Sequence, residues 1–85
     1  MSIKVNSKTF NELLRVSRKY WSTGDTDILD KKINLSNELE KQTKAPNTIF
    51  IEIVNVMARL DIDTETCGKI LALLNIELVN DEQLS

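Results

Sequence analysis

The chain has 85 residues, 41% of them apolar, and a net charge of −2 that conceals a gradient: +4 over residues 1–24, −1 over 25–59 and −5 over 60–85. That length holds one domain with a modest core, and with only two Gly and one Pro the composition is that of a folded helical chain. With no histidine, one cysteine and two isolated glycines, it lacks Ser-His and Cys-His pairs, imidazole metal ligands, a four-ligand zinc site and a phosphate-cradling loop, so a non-enzymatic protein without cofactor or metal is expected.

Cys67 has no second cysteine to pair with, and the opening residues carry no apolar stretch of signal-peptide length. The longest uninterrupted apolar run after them, residues 70–74, is too short to span a bilayer. A reduced, cytoplasmic setting with no membrane insertion is the expectation. The fold class expected is all-α, a compact antiparallel bundle of about four short helices in one domain over residues 1–85. Residues 1–8 form an N-terminal arm or short strand, and residues 80–85 a frayed tail.

Taken in chain order, Ser2 to Asn6 alternates polar and apolar like a strand, but a lone strand needs a pairing partner. The simpler reading is an arm with Ile3 or Val5 tucked against the helices. Thr9 and Glu12 have the spacing of a capping box and predict a helix over 10–21. At 100° per residue, Phe10, Leu13, Leu14, Ser17 and Trp21 share one side of it, and Lys8, Arg15, Arg18 and Lys19 another. Gly24 follows as a helix stop, where a positive φ is often required.

Asp25 or Thr26 can cap a second helix over 26–43, with Ile28, Leu35 and Leu39 as its seam and Leu29 and Ile33 on the flank. Pro46 then breaks the chain. Residues 48–60 are rich in β-branched side chains, yet helical spacing suits them better, with Ile49, Ile53, Val56, Met57 and Leu60 aligned and Phe50 and Val54 beside them. Were this stretch a strand, Ser2 to Asn6 and Ile76 to Val79 would be its partners. A last helix over 64–78, capped by Asp63 or Thr64, has a core face of Cys67, Ile70, Leu71, Leu74 and Leu78. Gly68 inside it suggests close packing against a neighbour.

Two surfaces are candidate sites. The first is the basic face Lys8, Arg15, Arg18 and Lys19 with Tyr20, whose charges could follow phosphates while an aromatic stacks on an unpaired base. RNA is therefore the alternative partner. The second is Leu73, Ile76 and Val79 among Asp61, Asp63, Glu65 and Glu77, which would suit a protein partner. The same charges could instead join the two ends of one monomer, or link two copies in a homodimer.

Three family resemblances bear on these surfaces. Ile3, Val5, Leu13, Val16 and Ser17 fall at offsets similar to those of ribbon-helix-helix proteins, but Asp25 and Asp27 stand where that family greets phosphate. The spacing from Val56 through Ile62 to Cys67 and Ile70 is similar to a helix-turn-helix, with Met57 and Asp61 in place of the usual small residue and Gly. Asp63 and Glu65 would repel DNA, so duplex DNA is not expected as a partner. The order of amphipathic helices also resembles that of bacteriocin immunity proteins, which are short four-helix bundles, although many of those are basic and carry a longer tail. Usage of Ile, Asn and Lys is compatible with a bacterial or phage origin. The expected function is that of a small regulator, inhibitor or accessory subunit that binds a larger protein.

Overall fold

The computed structural model describes residues 3–80 and residue 82. Strand β1 (Ile3–Asn6) runs directly into helix α1 (Ser7–Thr23), followed by α2 (Ile28–Thr43), α3 (Asn47–Arg59), α4 (Thr64–Leu73) and strand β2 (Ile76–Val79). The described residues are thus mostly helical, with a two-stranded parallel sheet added. Ile3 lies opposite Ile76 and Asn6 opposite Val79, so the two ends of the chain are brought side by side. A parallel pair needs a long crossover. Here all four helices supply it.

The strand reading of the N-terminal segment therefore holds over Ile3–Asn6, and the loose-arm reading does not. Val5 is fully buried, among Phe10, Leu13 and other core side chains. Asn6 ends the strand and caps the helix: its Oδ1 accepts from the Thr9 amide at 2.9 Å and from the Thr9 hydroxyl at 3.3 Å, while its own amide donates to Gln42 Oε1 at 3.3 Å. This cap starts α1 three residues ahead of the expected position. Glu12, released from the expected capping box, pairs with Arg15 and with Lys31 of α2. Those two cations hold its carboxyl down at about 2.

The C-terminal element departs further from expectation. The helix expected over 64–78 stops at Leu73, because the amides of Leu74 and Asn75 turn back to Leu71 O and Ala72 O and Asn75 takes a left-handed φ of 61°. Asn tolerates that conformation better than most residues. Its carbonyl then accepts from the Ile3 amide at 2.7 Å, which starts the sheet. The expected fraying of residues 80–85 falls mainly on residues outside those described.

The second helix starts at Ile28, two residues late, with Asp27 and not Asp25 or Thr26 at its N-cap, and Leu74, expected on the core face of the last helix, is 51% exposed. Several other local expectations stand. Gly24 ends α1 at φ 70°, and Asp63 caps α4 through Thr66. Residues 48–60 are helical with the end one residue short, and Cys67 is buried, which pushes its thiol pKa up. Helices α1, α2 and α3 pack on one another, whereas α4 lies close to β2 and reaches the common core through Cys67 and Leu71.

Gly68 does not serve close packing. A Cβ built there meets nothing within 4 Å, and the residue sits inside a helix without the positive φ of Gly24. Gly68→Ala is therefore expected to stabilise the protein by about 0.5–1 kcal/mol, because it removes backbone freedom from the unfolded chain at no steric cost. Thermal melting monitored by circular dichroism should show Tm rising by roughly 4 °C. An unchanged or lower Tm would mean the site is more crowded than its geometry shows.

Candidate functional site

The helix α3 has more apolar side chains than one buried face can use. Phe50, Val54, Met57 and Ala58 fill the core, so the buried stripe is rotated away from the expected line. Ile49, Val56 and Leu60, which lie on that line, are left in solvent, the last two at 55% and 67% exposure, and Ile53 is half-buried beside them. Tertiary packing chose the stripe with Phe50, whose large ring is fully buried in the core cluster.

The exposed line continues across a cleft of about 280 Å³ toward α4. Its walls are Glu52, Ile53, Val56 and Met57 from α3, Ile70 from α4, Leu74 just past the end of α4 and Ile62 from the connection. Leu74 is half exposed, and Leu73 beside it is 84% exposed. Val56 thus joins the exposed line of α3, which carries Ile49 and Leu60, to Leu74 across the cleft.

The C-terminal candidates split. Leu73 is exposed as expected, but Ile76 and Val79 are buried in the sheet at 6% and 1% and present no surface. In place of the end of the expected helix, β2 runs beside β1, and both of its terminal residues, Ile76 and Val79, are buried while Glu77 is exposed. The acids are dispersed. Asp63 caps α4, Glu65 lies 3.8 Å from Lys69, Asp61 sits in the turn at φ 52°, and Glu77 faces Lys4 in the strand register.

The basic face is likewise divided. Arg15 is bound to Glu12, and Arg18 reaches across to donate to the Ile62 carbonyl, fastening α1 to the α3–α4 connection. Tyr20 packs against the core, while Lys8 and Lys19 remain exposed. Trp21, placed on the core side by its phase, is 45% exposed. It lies in the last turn of α1, where its ring meets the edge of Tyr20 with centroids 5.6 Å apart and Arg59 covers it at 5.1 Å. Arg18, Trp21, Arg59 and Asp61 line a shallow hollow here.

Sequence reasoning missed Lys32. It occupies the buried seam of α2 at 4% exposure, with Nζ 2.6 Å from Asn55 Oδ1 and 5.1 Å from the Tyr20 ring centroid. Burial pushes its pKa below the ordinary 10.5. The available signal was its position four residues after Ile28 and seven before Leu39, both buried. Lys32 contributes to joining α2, α3 and α1, and no nucleophile or metal partner converges on it. Among the described residues no group of three His, Cys, Asp or Glu side chains could hold a metal ion, and no helix is long and apolar enough to cross a membrane. Comparison with protein families, with curated proteins and with solved structures finds no match to this chain.

Proposed function

We propose that this is a non-enzymatic interaction protein, a regulator, inhibitor or accessory subunit that acts by burying its α3–α4 face against a larger protein. The observation that carries the reading is the exposed line Ile49, Val56 and Leu60, joined through Val56 to Leu74 across the cleft. A partner that covers such a face gains from every apolar side chain removed from water, and a few central residues dominate the affinity. The polar rim residues Glu52 and Arg59 add orientation.

Val56 is the residue to change, since it is exposed and its replacement leaves the core intact. Val56→Glu places a charge at the centre of the face and is expected to weaken partner binding by about 2 kcal/mol, roughly 30-fold, without altering Tm by more than a degree or two. Affinity capture from a host-like lysate, with and without nuclease, provides the measurement. The expected result is one protein recovered in near-equal amount with the wild type, indifferent to nuclease and lost with Val56→Glu. Capture that ignores this substitution would mean that the partner binds elsewhere on the protein.

A second reading, binding of single-stranded RNA, is favoured by one observation, the exposed Trp21 ring covered by Arg59 and close to Arg18. Stacked aromatic and cationic groups hold unpaired bases. Under this reading the captured material contains RNA, disappears with nuclease or added salt, and is lost with Trp21→Ala but not with Val56→Glu.

A further inference from the structure

The exposed line on α3 has a spacing that fits one particular occupant. Ile49, the half-buried Ile53, Val56 and Leu60 follow one another at steps of four, three and four. This is the repeat by which one helix seats on another along a narrow apolar seam. The seam spans about 16 Å of helix. On one flank of the seam stand two exposed charges of opposite sign one heptad apart, Glu52 beside the cleft and Arg59 over Trp21. The opposite flank carries Phe50 and Met57, which are turned inward.

A pair of charges with this spacing is complementary to itself. When two such helices pair antiparallel about a two-fold axis, Ile49 of one copy lies opposite Leu60 of the other and Ile53 opposite Val56. The same rotation sets Glu52 of each copy beside Arg59 of the other, twice, because in antiparallel pairs like flanks face each other. A parallel pairing would put Glu52 against the inward-turned Met57 flank and leave both charges without partners. Neither Glu52 nor Arg59 makes an ion pair within the described residues, and Arg59, with Cζ 5.1 Å from the Trp21 ring centroid, is exposed.

We infer that the α3 seam of the free protein is covered by a second copy of the chain, in a two-fold antiparallel helix pair locked by reciprocal Glu52–Arg59 contacts. The inference rests on the reading of the α3–α4 face as a docking surface and names its occupant when no larger partner is present. An interface of four seam residues per copy is small, so the dimer is weak and exchanges readily. A larger partner gains the face by displacing the second copy.

Sedimentation equilibrium from roughly 10 µM to 1 mM at low salt tests the pairing. The wild type is expected to dimerise within that range. Glu52→Arg and Arg59→Glu each bring like charges together twice and should raise the dissociation constant by about tenfold or more. The double variant E52R/R59E should recover wild-type affinity to within about threefold, which loss of the Arg59–Trp21 contact alone could not allow. An equimolar mixture of the two single variants should form a heterodimer, since each then offers the other the opposite sign. A wild type that stays monomeric throughout overturns the inference, as does a dimer indifferent to these reversals and to Val56→Glu. A monomer whose partner capture still depends on Val56 would defeat only the self-pairing. Capture that ignores Val56 would defeat the docking reading itself. Circular dichroism confirms that each variant is folded.

Discussion

Val5→Asp is expected to unfold the protein at neutral pH, while Lys4→Ala one residue earlier changes stability by no more than about 0.5–1 kcal/mol. Val5 is wholly excluded from solvent, lies opposite Leu78 in the sheet and touches the central core cluster. An unpaired carboxylate there either stays charged in an apolar site or takes up a proton against its ordinary pKa, and either route costs several kcal/mol. A chain of this size has a total stability of only about 4–13 kcal/mol. Val5→Ala provides the graded control. It leaves a cavity without a charge and should cost about 2–3 kcal/mol. Urea denaturation followed by circular dichroism distinguishes these outcomes, and a Val5→Asp protein that melts like the wild type would mean that residues 3–6 are the loose arm of the alternative reading.

The second large effect is expected at Lys32. Lys32→Ala removes a long aliphatic stem from a buried seam and takes from Asn55 Oδ1 its hydrogen-bond donor, at a combined cost of about 2–4 kcal/mol. Lys32→Met keeps most of the volume and eliminates the desolvated charge, so its stability should lie within about 1 kcal/mol of the wild type, the orphaned Asn55 oxygen offsetting the gain. The pH dependence separates charge from packing. In the folded protein burial lowers the Lys32 pKa, whereas in the unfolded chain it remains near 10.5. Between those two values the unfolded state binds more protons than the folded one. Stability due to this group therefore rises as pH increases across the window and levels off above it. Wild type and Lys32→Met share every other titrating group, so the difference between their urea midpoints, followed from pH 7 toward 10.5, isolates the contribution. A difference that stays flat would place the ammonium in water.

The two sites were legible to different degrees. That α3 has too many apolar residues can be read directly: Ile49, Phe50, Ile51, Ile53, Val54, Val56, Met57, Ala58 and Leu60 leave few polar positions in twelve. Which of its stripes turns inward cannot, because a helix that is apolar on most sides has no preferred face until a neighbour supplies the shape to be filled. The expected interface residues Ile76 and Val79 failed for a related reason. Their apolar character was correct, but a helical phase was carried past Asn75 into a strand.

By itself the amino-acid sequence determined the features whose physics is local. Helix stops and starts at Gly24, Pro46 and Asp63 depend on one or two φ values or one side-chain hydrogen bond, and Cys67 lies on an unambiguous apolar phase. Tertiary structure decided what depends on distant partners. Ile3–Asn6 becomes a strand because Ile76–Val79 is beside it, seventy-odd residues later, and Lys32 is buried because Asn55 and Tyr20 receive its ammonium group. Four-residue segments bury too little alone to hold an extended form, and a lone lysine has no reason to leave water. Both acquire their conformations only once the helices between them have assembled the surfaces on which they rest.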